Sequence, residues 1–115
     1  MSNTRVILEL GSGNDLHGSD YTTAALRAVQ DALHHSSLSF VRSLDVDRSQ
    51  VDVEVTIGVQ KPERVDIEKV KASLPMGRVS VKAVKGGLDV PDPENNDPAV
   101  IASAAIAVRV DMERR

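Results

Sequence analysis

Strict alternation of apolar and polar residues marks the clearest strand of the chain, at residues 51–59. An apolar run at 5–10, a shorter alternating segment at 78–84 and a long apolar segment at 99–110 predict three further strands. The first strand is expected to be mostly buried, with Val6, Leu8 and Leu10 on one face and Ile7 on the other. The apolar positions of the clearest strand are Val51, Val53, Val55, Ile57 and Val59.

Two segments repeat their apolar residues at the spacing of an amphipathic helix. The first begins at Tyr21, with Ser19 or Asp20 as its N-cap, and is expected to end near His35. The second begins near Asp66 and ends before Pro75. The residues predicted to face the core are Ala25, Leu26, Val29, Ala32 and Leu33 in the first helix, and Val65, Ile67, Val70 and Leu74 in the second.

The resulting order, β-α-β-α-β-β, predicts an α+β fold with one domain spanning 1–115. We expect a two-layer sandwich, in which a four-stranded mixed sheet carries two helices on one face. The last strand, 99–110, is apolar on both faces, whereas the helices cover only one face of such a sheet. The other face is therefore expected to meet a second copy of the chain, which makes the protein a homo-oligomer.

Composition limits the classes of function. The net charge is −3, the 14 basic residues are scattered, and the chain has only one Phe and one Tyr, so no nucleic-acid partner is expected. The absence of cysteine excludes disulfides, thiolate metal sites and thiol nucleophiles. No apolar run is long enough to span a membrane and residues 1–5 resemble no signal peptide, so a cytoplasmic location without a membrane partner is expected.

The glycine-rich segment 11–20 is the first candidate site. It is predicted to be a loop, and ten residues is longer than the usual strand-to-helix connection. The dinucleotide-binding pattern fails because position 16 is leucine, and a Walker phosphate loop is absent. A capped loop without function, a small-ligand site and a metal site remain open. The candidate ligand-binding residues of this segment are Gly11, Gly13, Asn14, Gly18 and Ser19.

His17 is the candidate functional side chain of this segment, as a general base or a metal ligand. Asp15 and Asp20 flank it and are the other catalytic candidates. A metal site would use Asp15, His17 and His35, although His34 and His35 are also expected at a helix C-terminus for electrostatic reasons alone. His17 alternatively caps backbone groups, and the sequence indicates no particular cofactor.

A second candidate is Lys85-Gly86-Gly87, at the start of a glycine-, proline- and asparagine-rich loop over 85–98. Two glycines allow a backbone to approach a ligand closely, and Lys85 supplies a charge beside them. The same residues also suit an ordinary turn. The favoured function is therefore a small-molecule or enzyme site near a subunit interface. The alternatives are a structural or partner-binding homo-oligomer without catalysis, and a metal-binding domain.

Several ordered motifs resemble a small bacterial family of conserved hypothetical proteins whose prototype is a Listeria protein. The resemblance extends over nearly the whole chain and implies the architecture and the cytoplasmic setting, because the family has no established activity. The motifs are Glu9-Leu10-Gly11 with Gly13 and Asp15-Leu16-His17-Gly18, then Ala25, Ala28-Val29, Asp31-Ala32, His35 and Ser37-Leu38, then Leu74-Pro75 with Gly77, and Gly86-Gly87-Leu88 before the alanine-rich last strand.

The element order is also similar to that of bacterial chorismate mutases and of the repeated domains of ring-opening amidohydrolases. That similarity implies a three-fold arrangement with sites between subunits, and hence a trimer or a multiple of one. Neither activity is implied, because Glu9 stands where the mutases have an arginine and Lys85-Gly86-Gly87 matches the amidohydrolase motif only in part.

Overall fold

The computed structural model describes residues 4–16, 20–34, 51–74 and 77–110. The fold is α+β, as predicted, and within these ranges it has two α-helices and a mixed sheet of five strands rather than four. The elements are β1 (Thr4–Asp15), α1 (Tyr21–His34), β2 (Val51–Val59), a short 3-10 helix (Pro62–Arg64), α2 (Ile67–Ala72), β3 (Arg78–Lys85), β4 (Leu88–Val90) and β5 (Ala99–Val110).

The last strand is the centre of the sheet. The strand order is β1-β5-β2-β3, in which β5 runs antiparallel to both neighbours and β2 runs parallel to β3. The fifth strand, β4, lies within the predicted loop 85–98 and pairs antiparallel with the first residues of β5. β2 pairs with β5 only as far as Ser103, and β4 pairs with β5 from Ile101 to Ala99. β4 therefore continues the line of β2 along the same side of β5.

The buried core lies between the sheet and the helices. All five predicted apolar positions of β2 are buried, and so are Val65 and Val70 around α2. In α1 the most deeply buried face consists largely of alanines, while Leu26 and Leu33 are only partly buried. Neither described helix is long and apolar enough to cross a membrane. The buried residues of α1 are Tyr21, Ala24, Ala25, Ala28, Val29 and Ala32.

The expectation that 11–20 is a loop is wrong for its first half. β1 continues through Asp15 and stays paired with β5 as far as Val100. Gly11 and Gly13 belong to this strand and face α1, where a Cβ on either glycine would overlap the helix backbone. These glycines are therefore required for close packing of a strand against a helix.

The face of β1 that carries Leu8 and Leu10 was expected to be buried, and this too is wrong. Leu8 is 46% exposed and Leu10 is 64% exposed, because both lie on the side of the sheet that faces away from the helices. We call this side the open face. By strand register it consists of Leu8, Leu10, Ser12 and Asn14 of β1, Ala99, Ile101, Ser103, Ala105, Ala107 and Arg109 of β5, Asp52, Glu54, Thr56 and Gly58 of β2, Arg78, Ser80, Lys82 and Val84 of β3, and Leu88 and Val90 of β4.

Candidate functional site

Asp15 and Asp20 hold the start of α1. The Asp20 backbone N–H donates a hydrogen bond of 2.9 Å to Asp15 Oδ2, and the Thr23 N–H donates one of 3.0 Å to Asp20 Oδ1. Asp20 is thus the N-cap, as predicted. The bonds from the Thr23 backbone N–H and hydroxyl lower the pKa of Asp20 below its ordinary value, because they stabilise the carboxylate.

Arg27 of α1 also binds the glycine-rich segment, at Asn14 and Asp15. Arg27 Nη1 donates a 2.7 Å hydrogen bond to the carbonyl oxygen of Asn14 and lies 3.6 Å from Asp15 Oδ1. His17, Gly18, Ser19 and His35 lie outside the described residues, so the role assigned to His17 stays a prediction. Within the described ranges, no three acidic or histidine side chains are grouped as metal ligands.

Tyr21 links the start of α1 to β4. This tyrosine is buried, and its hydroxyl donates a 2.5 Å hydrogen bond to Asp89 Oδ2. The other carboxylate oxygen, Asp89 Oδ1, is buried and has no hydrogen-bond partner within the part of the chain that the structure describes. Burial, followed by the hydrogen bond and the negative charge of Asp89, raises the pKa of Tyr21 to about 12.

We expect the Tyr21 hydroxyl to titrate near pH 12 in the folded protein, as followed by tyrosinate absorbance. Tyr21 is the chain's only tyrosine, so the signal has one source. Because the folded-state pKa exceeds the unfolded value of about 10, its contribution to stability is complete below pH 10 and is lost as the pH rises towards 12. Titration at pH 10 in a protein that remains folded would contradict the buried contact with Asp89.

Gly86 and Gly87 form a turn that crosses the end of β2. The Gly86 N–H donates a 2.9 Å hydrogen bond to the Val59 carbonyl, and Gln60 Nε2 donates to the carbonyls of Gly86 and Gly87. A Cβ on Gly58 would lie 3.4 Å from the Gly86 Cα, so the two backbones are nearly in contact. The predicted Gly-Gly pair is therefore used for a close crossing between chain segments.

A depression of about 610 Å³ lies beside this turn, largely on the open face. Its base consists of small residues of β2 and β5, and Leu10 and Val84 border it on opposite sides. The Ser12 N–H at its edge donates a 2.9 Å hydrogen bond to Asp31 Oδ2 of α1. The lining residues are Leu10, Gly11, Ser12, Asp31, Thr56, Gly58, Val84, Lys85, Gly86, Gly87, Ser103, Ala104 and Ala105.

This depression brings together parts of both predicted constellations. Gly11 comes from the first, and Lys85, Gly86 and Gly87 form the second. Gly13, Asn14, Asp15 and Asp20 are not among its lining residues. Lys85 is in register with the buried Val59, which places its side chain on the opposite side of the sheet from Val84.

Sequence reasoning missed the residues that form most of the depression, namely Thr56, Val84, Ser103 and Ala105. Thr56 and Ser103 alternate with buried residues in strands that the sequence did predict. The available signal was the run of small residues on one face of the last strand, next to a Gly-Gly turn. A depression forms where large side chains surround small ones.

Charged residues occupy the other end of the open face. Arg78 Nε lies 2.8 Å from Asp52 Oδ1, and Arg109 Nε lies 3.0 Å from Glu54 Oε1. Both pairs join neighbouring strands and are partly exposed. The open face thus has an apolar region around the depression and a region of paired charges, with Lys82 between them in register with Thr56.

Comparisons with known proteins support the family and the fold. A family model described as "Conserved hypothetical protein (Lin0512_fam)" matches residues 5–108. The crystal structure of an FtsZ-like protein of unknown function from Nostoc punctiforme is similar over 96% of this chain and 98% of that chain, with 37% sequence identity and a TM-score of 0.84. The comparison with curated proteins finds no match.

Proposed function

The chain belongs to the Lin0512 family of conserved hypothetical proteins, as its motifs predicted, and we propose that it is a cytoplasmic small-molecule-binding domain. The ligand occupies the depression on the open face. The observation that carries this proposal is the meeting of two distant segments, 10–12 and 84–87, around one concave surface of about 610 Å³. That volume lies within the usual range for small-molecule sites, about 300–1,000 Å³.

The lining residues define the class of ligand. Leu10, Val84 and Ala105 offer apolar contacts, whereas Thr56 and Ser103 offer hydroxyl groups on the same face. The glycine backbones at the edge allow a ligand to approach without a Cβ between them. We therefore propose a small, flat, mostly apolar molecule with one or two hydrogen-bonding groups.

The side chains favour binding over catalysis. Asp31 is the acidic residue of the lining, and its carboxylate accepts the Ser12 backbone N–H. Among the residues that the structure describes, the lining has no histidine and no cysteine, the side chains that most often serve as base and nucleophile in hydrolytic and transfer reactions. A site built on His17 with Asp15 and Asp20 would be separate from the depression, at the start of α1. Asp15 and Asp20 already hold the start of that helix by hydrogen bonds.

The test is a titration of the ¹⁵N-labelled protein with 2-naphthol, followed by amide chemical shifts. We expect saturable shifts centred on Ser12, Gly58, Gly86 and Ser103, with a dissociation constant of about 1 mM or tighter. Shifts that do not saturate, or that centre on α1, would contradict the proposal.

A variant that fills the depression with a larger side chain, and a matched control on α1, test where the ligand binds. Ser103→Leu adds a large side chain at an exposed position of the base and should abolish the 2-naphthol shifts. Gln30→Leu adds the same side chain at an exposed position of α1 and should leave them unchanged. Equal binding by both variants would place the ligand elsewhere.

A structural homo-oligomer is the second candidate function, and one observation favours it. Five large apolar side chains of the open face are more than 40% exposed, although apolar residues clustered in this way are usually covered in the working state. The five residues are Leu8, Leu10, Val84, Leu88 and Val90.

A further inference from the structure

We infer that a second copy of this chain packs face to face on the open face, and that the pair encloses the depression. The pairing of the two copies is independent of the proposed ligand site, whereas the idea that the pair encloses a ligand rests on that proposed function. The inference begins with the relief of the open face. On the central strand β5 this face carries mostly small side chains, Ala99, Ser103, Ala105 and Ala107, with Ile101 among them.

Larger side chains rise on both sides of this strand. Leu8 and Leu10 are in register with Ala107 and Ala105 on the β1 side. Val84 on β3 and Leu88 on β4 rise on the other side. The open face therefore has two apolar ridges, and a trough of small residues runs along β5 between them. We call it the β5 trough.

This shape is complementary to itself. Two sheets that pack face to face lie about 10 Å apart, and their inner side chains interdigitate. A two-fold axis that lies between the two sheets, along the β5 trough, sets the trough of one copy opposite the trough of the other, and ridge opposite ridge. The ridges then meet at both margins of the contact and the two troughs enclose the depression between them, with the same patch used by both copies, as in every two-fold interface.

The size of the face also suits a stable pair. Strands about 4.8 Å apart and about 3.3 Å per residue give the face an area on the order of 700 Å² for four strand widths and the length of β5. Standard protein interfaces bury about 800 Å² per partner. A small peptide would cover only part of this surface, so a partner with an equally broad face fits better.

Charge permits two identical faces to meet. The polar part of the face holds the Arg78–Asp52 and Arg109–Glu54 pairs, in which the charges balance, and Lys82 adds one further positive charge. A rim that carries both signs of charge avoids the strong repulsion that a face with one sign would show towards its own copy. An apolar centre with a polar rim is also the usual arrangement in protein interfaces.

The experiment is light scattering coupled to size-exclusion chromatography on the full chain. The molar mass measured across the wild-type peak should be about twice the chain mass of 12.4 kDa. Leu8→Lys places a charge on the ridge outside the depression lining, and it should weaken pairing about tenfold or more. Gln30→Lys adds the same charge on the exposed surface of α1 and should elute like wild type.

Every result decides for or against the pairing. A wild-type monomer at micromolar concentration, a trimer, or a Leu8→Lys variant that pairs as wild type does would overturn it. If Leu8→Lys fails to fold, Ala107→Arg takes its place, because it fills the β5 trough opposite Leu8. A monomer that still binds 2-naphthol disproves the pairing alone, whereas a pair that does not bind it disproves the ligand proposal alone.

Discussion

Replacing Gly13 with alanine is expected to lower the free energy of unfolding by about 3 kcal/mol or more. A Cβ at this position would overlap the backbone nitrogen of Ala28 and lie 2.6 Å from the carbonyl oxygen of Ala24. These are backbone atoms of α1, so no side-chain rotation relieves the overlap. The helix must move away from the sheet, and its buried alanines would lose their contacts with β1 and β5.

The matched control for this prediction is Ser12→Ala. Ser12 is the preceding residue of β1, is exposed and lies on the open face, and its backbone N–H still donates to Asp31 after the change. Its unfolding free energy should stay within about 0.5 kcal/mol of wild type. Urea unfolding measures both variants, and a Gly13→Ala variant as stable as the control would show that α1 does not pack so closely on β1.

The second large effect is expected for Gly87→Ala, at about 2–4 kcal/mol of unfolding free energy. Gly87 has a φ of +62°, in the left-handed region, where a Cβ costs about 1–2 kcal/mol. The new Cβ would also overlap the Ile101 carbonyl oxygen and lie 2.8 Å from that of Gly58. Both oxygens belong to backbone at the end of the sheet, which holds the turn in place.

Gly86→Ala is the control within the same turn. A Cβ on Gly86 would lie 3.1 Å from the Gly58 Cα, which is tight but needs only a small shift of the neighbouring backbone. Its φ lies outside the left-handed region. Thermal unfolding should therefore rank wild type above Gly86→Ala and Gly86→Ala above Gly87→Ala. The reverse order of the two variants would contradict the crossing described for this turn.

The sequence predicted the elements whose pattern is set by one buried face. The alternation over 51–59 coincides with β2, and the start of α1 at Tyr21 follows from the Asp20 cap. The fold class was confirmed because most predicted elements repeat their apolar residues at one clear spacing, either that of a helix or that of a strand. The apolar second face of the last strand was also visible in the sequence, and it forms part of the open face.

The glycines were misinterpreted because a Gly-rich segment after an apolar run has two physical explanations. It turns the chain, or it allows another backbone to come close. The spacing supports the second explanation, since two strand residues rise about 6.7 Å and four helix residues rise about 6 Å. Gly11 and Gly13 therefore match alanines four apart, at Ala24, Ala28 and Ala32.

Other features depend on contacts that no local pattern shows. β4 is only three residues long and is defined by its pairing with β5, so its sequence resembles a loop. Tyr21 and Asp89 meet through a hydrogen bond across 68 residues of chain. The depression likewise requires the register of four strands, which sets β1 and the β3–β4 turn beside the same part of β5.

The central claim, that the open face is the working surface and is covered by a second copy, is tested most directly by cysteine labelling. The chain has no cysteine, so Ser103→Cys gives one thiol at the centre of the open face and Gln30→Cys gives one on α1. N-ethylmaleimide labelling is followed by mass spectrometry at high and low protein concentration. We predict slow labelling of the Ser103→Cys variant at high concentration and faster labelling on dilution, with Gln30→Cys fast at both. Equal rates for the two variants at every concentration would contradict the claim.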